Sequence, residues 1–344
     1  MASKFAAASL LLALVTSTYG NSTFITYQPA FKDIIGPSPK LELLLQNGSY
    51  PFAHEAPVYY QTKEDVFMVG NYQTKNGGQP IQISKMRAKN GVYVREEIFP
   101  DIPMANGAVN YKDGVLFAAQ GTFDRPSALI YMDPEPPYAT EVMLDSFNGR
   151  RFNSLNDVVI HSDGSIWFTD PTYGYDQGFT PKPDLPHQVY RFDPGTGSVR
   201  AVADGLGQPN GLAFSPDESI LYVTDTDSHR GNGDNNPERA ATIYAYDVKT
   251  YSNAPFLVNR RVFAYTDNGI PDGVKVDTNG NVYSGCGDGV HVWSPGGDLL
   301  GKIKLPSVSA NFCFAEAGVM YILNEYKVWK ATLSPDTHGA LLGL

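Results

Sequence analysis

Only two of the 344 residues are cysteine and six are histidine. Two thiols cannot staple a chain of this length into a disulfide-dense fold, so the molecule must build its own apolar core. Cys286 and Cys313 are a candidate disulfide in an oxidising compartment, with two small buried strand residues as the alternative. The histidines form no H-x-H or H-E-x-x-H pattern, which argues against a zinc hydrolase. No G-x-S-x-G elbow occurs either, so no serine nucleophile of the α/β-hydrolase type is signalled. Positive charge is short: 26 Lys and Arg stand against 36 Asp and Glu, a net charge of −10. Without a basic run, no nucleic-acid partner is expected. Beyond residue 20 no stretch reaches the ~18 apolar residues of a membrane-spanning helix, so no membrane partner is expected, and the chain reads as a monomer.

The apolar run that does exist opens the chain. Lys4 precedes an almost unbroken small-to-apolar segment from Phe5 to Val15, and Thr18-Tyr19-Gly20 places small residues where a signal peptidase cuts. Residues 1–20 therefore read as a signal peptide, and the protein as secreted and extracellular. The sequons Asn21-Ser22-Thr23 and Asn47-Gly48-Ser49 make Asn21 and Asn47 candidate glycosylation sites.

What is plentiful is a repeat. An apolar-aromatic strand recurs around Phe67, Phe117, Trp167, Tyr222, Tyr283 and Tyr321, at spacings of 50, 50, 55, 61 and 38 residues. Upstream of each stands a polar residue opening a short apolar strand: Glu55, Asn106, Asn156, Asn210, Asp272 and Asn311. The offsets are 12, 11, 11, 12, 11 and 10. That constancy implies the same hairpin six times. Third strands such as QVYRFD and fourth strands such as SVRAVAD follow, but no fourth strand follows Thr332. A strand of the right type, Lys40 to Leu45, stands before the first repeat. The fold class is therefore all-β: a six-bladed β-propeller over 40–334, its ring closed by the N-terminal strand. Residues 21–39 are then an N-terminal extension and 335–344 a C-terminal tail. Long insertions, 170–187 in blade three and 225–241 in blade four, share one face and are expected over one mouth of the channel.

In a propeller the first strand of each blade lines the channel, so the six polar residues converge on its axis. All offer oxygen and none is a thiol or imidazole, which suits a hard cation such as Ca²⁺ or Mg²⁺. A local turn is the alternative for any single Asn-Gly or Asp-Gly pair. It does not account for Glu55, which Ala56-Pro57 follows at the same phase. His54 reads as an ordinary strand histidine, with a donor role beside Glu55 as the alternative. Asp170 and Asp225, which end the Thr-Asp motifs, read as holders of turn backbone.

The stretches HEAPVYY, RFNSLNDVVIHSDGSIWFTDPTYG, GQPNGLAFSPDESILYVTDT and GIPDGVKVDTNGNVYSG, between Glu55 and Gly285, resemble the SMP-30/gluconolactonase family of calcium-dependent lactonases. The resemblance implies a six-bladed propeller with one catalytic divalent ion. It makes Glu55, Asn156, Asn210 and Asp272 the metal ligands and Asp272 also the catalytic base. The implied ion is Ca²⁺, with Zn²⁺, Mn²⁺ or Mg²⁺ as substitutes. The implied reaction opens a lactone or ester at a metal-polarised carbonyl, with water activated by Asp272. Asn106, which shares the ring, and Tyr173 and His229, in the two insertions, are candidate substrate contacts. The family's N-S-P-N-D segment is here Asn153-Ser154-Leu155-Asn156-Asp157, and Ser154 stands where sugar-lactone enzymes can carry arginine. A lactone other than a polyhydroxylated one is therefore open. The other readings are a non-catalytic propeller stapled by calcium and a strictosidine-synthase-like enzyme.

Overall fold

The structure is a computed structural model that describes residues 23–72 and 80–341. The expected leader at 1–20 and the sequon at Asn21 lie outside the described residues. Six antiparallel four-stranded units follow one another along the chain, each hydrogen-bonded in the order of its strands. Their first strands are Glu55–Tyr60, Ala105–Tyr111, Val158–Ile160, Pro209–Phe214, Val274–Val276 and Phe312–Phe314. Neighbouring first strands pack on one another around a common axis, which makes the six units the blades of a propeller.

The aromatic position that defines the period is the residue packed between blades. Phe67, Phe117, Trp167 and Tyr283 are fully buried, and Tyr222 and Tyr321 nearly so. Phe67 and Phe117 share one cluster across blades one and two, and Tyr321 joins blade six to Tyr59 and Met68 of blade one. Burying a side chain of this size contributes about 1.5–3 kcal/mol, so a residue repeated once per blade stabilises every inter-blade seam.

The ring closes as expected. Lys40–Gln46 pairs antiparallel with Lys327–Thr332, Lys40 opposite Thr332 and Gln46 opposite Lys327, and supplies the missing outer strand of blade six. The extension before it is also structured. Phe24–Thr26 adds a fifth strand to blade five, and the short helix Phe31–Ile35 buries Phe31 against that blade. Three residues of strand were too few to show a period in the sequence.

The candidate disulfide is not formed: Cys286 and Cys313 are both free and buried. Cys286 packs between blades four and five with Ala213, Val274 and Trp293. Cys313 packs between blades six and one with Tyr59 and Met68. Adjacent repeats place the two thiols in different seams, where each acts as a small apolar side chain.

Candidate active site

In blades one, two and four the polar residue sits where the first strand is irregular, and in blades three, five and six Asn156, Asp272 and Asn311 stand just ahead of the first strand. The pairing register slips between Glu55 and Val58, between Ala105 and Ala108, and between Pro209 and Leu212. A bulge of this kind turns one side chain away from the sheet, here into the channel. The glycines that follow are required by close approach rather than by turns. A Cβ on Gly107 would lie 2.5 Å from Asp157 Oδ1 and 2.6 Å from the Asn156 carbonyl oxygen. One on Gly211 would lie 2.7 Å from the Asp272 carbonyl oxygen. The Asn-Gly and Asp-Gly pairs are thus the points where neighbouring first strands pass each other at the axis.

Asp170 and Asp225 hold the segments that lead into two ring residues. Asp170 accepts from the backbone N–H of Asn153 (3.0 Å) and Ser154 (2.8 Å), and Asp225 from those of Gly207 and Gln208 (both 2.8 Å). These bonds fix the chain three residues ahead of Asn156 and Asn210.

All six ring residues are buried, with Asp272 the most accessible at 9%. Glu55, Asn106, Asn156, Asn210 and Asp272 line one cavity of about 280 Å³. Asn311 lies beneath it and donates through Nδ2 to Glu55 Oε2 at 2.7 Å. Asn106 donates to the Asn156 carbonyl at 3.1 Å. The Oδ1 atoms of Asn156 and Asp272 are buried and have no hydrogen-bond partner. Buried acceptors left unpaired cost free energy, and two carboxylates in the same cavity add to that cost. Burial and the neighbouring Asp272 push the Glu55 carboxyl up to about 8. Burial likewise pushes Asp272 up to about 6, against the opposing pull of His54 and a hydrogen bond from Asn210. Two unpaired oxygens and two carboxylates that resist ionisation together are a donor set that fits a hard divalent cation. Among the described residues no group of three His, Cys, Asp or Glu side chains is gathered for a metal. The other ring residues that line the cavity, Asn106, Asn156 and Asn210, offer amide oxygens.

The insertions close over this mouth, and both candidate contacts reach it. Tyr173 and His229 line the cavity with Asn71, Tyr72, Ile81, Gln120, Gln177 and Ile270. Tyr173 opens a short helix, Tyr173–Asp176, that Gln208 of blade four pins through Nε2 to Asp176 Oδ2 at 2.7 Å. The Tyr173 hydroxyl bonds to Thr226, and burial pushes its pKa up. Tyr72 meets Phe179 edge-on, with ring centroids 4.7 Å apart, which joins the loop of blade one to the insertion of blade three.

Residues at the departure from the family's pattern lie under the cavity. Leu155 is fully buried, and its N–H donates to Ser127 Oγ at 2.8 Å, a bond that proline could not make. Ser154 is buried and receives the Gly174 N–H at 3.0 Å, so it braces the blade-three insertion. Arg151 turns away to hold the carbonyls of Thr122 and Arg125.

His54 is where sequence reasoning fell short. It lines the cavity, and its Nδ1 lies 2.6 Å from Glu325 Oε1 in blade six. Burial alone would lower the imidazole, but Glu325, then Glu55 and Asp272, raise it to about 10. For Glu325, burial opposes ionisation, yet His54 and Asn71 outweigh it and hold the carboxyl low. The partner is 271 residues away, so nothing local to HEAPVYY could have shown it.

Comparison with known proteins places the chain among lactone-hydrolase relatives. Lactonohydrolase oryL of Aspergillus oryzae is 32% identical over 86% of this chain and 71% of its own length. A gluconolactonase of Zymomonas mobilis is 31% identical over 63% of this chain and 59% of its own. The solved structure of a gluconolactonase from Xanthomonas campestris superposes with a TM-score of 0.70 at 27% identity, covering 90% of this chain and 94% of that one. A sequence model of the SMP-30/gluconolactonase/LRE-like region matches residues 81–324, and on that match the chain belongs to the SMP-30/gluconolactonase/LRE-like family.

Proposed function

We propose that this chain is a lactonase that hydrolyses a lactone with a divalent cation, Ca²⁺ in the first instance, held by Glu55, Asn156, Asn210 and Asp272. The observation that carries the reading is the pair of buried, unpartnered oxygens on Asn156 and Asp272 beside the Glu55 carboxylate. When bound, a divalent cation supplies Lewis-acid polarisation of the carbonyl. Asn311 orients Glu55 through its 2.7 Å bond, and Asn210 orients Asp272. Asp272, on the cavity wall, takes a proton from the attacking water. Asn106, Tyr173 and His229 position the lactone, and the pinned blade-three insertion limits access of bulk water.

Among the described residues the cavity wall offers amides, a tyrosine hydroxyl and histidines and no lysine or arginine, which supports recognition of the substrate through neutral donors and acceptors. The same proposal has residues 1–20 exporting the chain and Asn47 glycosylated. A pH-indicator screen of lactones, with EDTA and then with added Ca²⁺, Mn²⁺, Mg²⁺ or Zn²⁺, tests it. Hydrolysis that disappears with chelator and returns with cation is the expected result. A cation that raises melting temperature while no lactone is hydrolysed would favour the calcium-stapled binding propeller instead. Turnover that ignores chelation would remove the metal from the reaction.

A further inference from the structure

Across the cavity from Asp272 stands a donor that the proposed reaction leaves unused. Gln120 follows directly on the second strand of blade two, Gly114–Ala119, and its backbone N–H donates to the Met104 carbonyl at 2.9 Å. Blades two and five face each other in a ring of six, so Gln120 and Asp272 line opposite sides of one cavity. Gln120 is only 4% exposed, and it lies on the cavity wall.

Ser154 decides which end of this amide the cavity meets. Its backbone N–H donates to Asp170 Oδ1 at 2.8 Å, and the residue has no exposure to solvent. The Gly174 N–H donates to Ser154 Oγ at 3.0 Å, and that Oγ lies 3.2 Å from Gln120 Oε1. A hydroxyl sealed from water that already accepts an N–H must place its own proton on an acceptor, and Gln120 Oε1 is the one in reach. The amide oxygen is therefore turned to Ser154, and Nε2 is left to the cavity. Among the described residues nothing accepts from Nε2. Turning the amide over would leave the buried Ser154 proton without a partner, which costs free energy. Gly174 belongs to the short helix Tyr173–Asp176, and a Cβ there would lie 2.9 Å from Ser154 Oγ. The blade-three insertion thus presses on the hydroxyl that orients Gln120.

A lactone whose ester group lies at the axis beside Asp272 turns its other ring atoms toward the walls. A fixed amide N–H on the wall selects a neutral oxygen at that place. We infer that Gln120 is a specificity-determining residue that donates from Nε2 to an oxygen substituent of the lactone ring, and that Ser154 is the residue that positions it.

This inference rests on the lactonase reading, and a matched pair of substrates separates the two. δ-Gluconolactone carries oxygen substituents around its ring, whereas δ-valerolactone has the same six-membered ring and none. KM and kcat for both would be measured on the Ca²⁺-loaded wild-type protein, Gln120→Met and Ser154→Ala, each with a melting curve. Wild type should show the lower KM for δ-gluconolactone. Gln120→Met keeps the shape and removes the N–H. It should raise the KM for δ-gluconolactone relative to that for δ-valerolactone by about fivefold, the scale of one neutral hydrogen bond, with kcat little changed. Ser154→Ala leaves Gln120 whole but frees its amide to turn, and should shift the same ratio by about twofold; it carries the test if Gln120→Met does not fold. A ratio that stays unchanged in the folded variants overturns the role of Gln120. So does a wild-type protein that opens δ-valerolactone and refuses δ-gluconolactone. A shift in Gln120→Met without one in Ser154→Ala overturns the positioning role of Ser154 alone. Hydrolysis of neither lactone by the wild-type protein overturns the lactonase reading and this inference with it.

Discussion

The two ends of the channel are built from the same six strands and have opposite chemistry. At the upper mouth bulged strand starts bring Glu55, Asn106 and Asn210, and the segments just ahead of two further strands bring Asn156 and Asp272, to a cavity of about 280 Å³. At the lower end the strands carry Val58, Ala108, Val159, Phe214, Val276 and Phe314 around a cavity of about 70 Å³. The lower end is closed by the chain itself: Ala340 and Leu341 of the C-terminal tail line the cavity, and the Lys275 ammonium lies 3.9 Å from the buried Asp157 carboxylate. Asp157 Oδ2 accepts no hydrogen bond but has that cation beside it, whereas at the upper end Asn156 Oδ1 and Asp272 Oδ1 have no hydrogen-bond partner and their residues line the cavity. Unsatisfied buried oxygens on a cavity wall are the kind of group that a ligand would satisfy.

Substitution at the upper end should give the largest effect. Asp272→Ala is expected to lower kcat by about 10³-fold or more, since under the proposed function it removes both a base and a cation ligand. The melting temperature in EDTA should hold or rise, because one of two opposed carboxylates is gone. A steady-state assay on any accepted lactone, paired with a melting curve, reads both quantities. A folded Asp272→Ala protein with normal turnover would place the chemistry elsewhere.

Chelation comes next in size and probes the same asymmetry without mutation. EDTA should abolish hydrolysis and lower the melting temperature of the wild-type protein. Cation at a hundredfold excess over its Kd should restore about 2.7 kcal/mol of stability. Asp272→Ala should lose most of that cation-dependent gain. An identical gain in Asp272→Ala would mean that the stabilising ion binds outside the ring.

How much of this was legible in the sequence follows from which contacts are local. The period, the aromatic seams and the phase of the polar ring rest on spacings inside one blade, and the closing strand Lys40–Gln46 had its own apolar signature. The ring's chemistry was legible because six copies of one position can be compared. Contacts between blades had no such signal. Glu325 meets His54 across 271 residues, and Cys286 and Cys313 sit in adjacent repeats but in different seams. The strand Phe24–Thr26 was too short to register. The Asn-Gly and Asp-Gly pairs looked like turns because a glycine required by a neighbouring backbone has the same spelling as one required by φ.

The tail offers a test from the lower end. Ala340 donates to the Val276 carbonyl at 2.8 Å, Thr278 donates to the His338 carbonyl at 2.8 Å, and Gly318 donates to the Thr337 carbonyl at 3.0 Å. A chain ended at Ser334 loses these three bonds, together with that from Thr337 Oγ1 to the Ile34 carbonyl at 2.8 Å, and opens the lower cavity to water. At ~0.5–1.5 kcal/mol for each bond, a loss of about 2–6 kcal/mol in unfolding free energy is expected, with kcat of the folded protein unchanged. A matching fall in kcat would show that the two ends are coupled through the shared strands.

The smallest effect belongs to Asp163, in the hairpin turn at the lower rim of blade three. Burial opposes its ionisation, but Ser165, Arg191 and His161 outweigh that and hold the carboxyl down to about 2. Arg191 Nη2 reaches Asp163 Oδ2 at 3.1 Å, on a carboxylate that is 39% exposed. A folded pKa below the unfolded value means that the carboxylate stabilises the fold above about pH 4. That contribution is lost as pH falls through about 2. Solvent screening limits it, so Asp163→Asn should cost less than about 1 kcal/mol at pH 7. The gap between wild type and variant in urea unfolding should narrow as pH falls from 4 to about 2, while kcat at neutral pH stays the same. A gap that persists at pH 2 would assign the stabilisation to the turn geometry of Asp163, through its hydrogen bond from the Ser165 N–H at 2.8 Å, rather than to its charge.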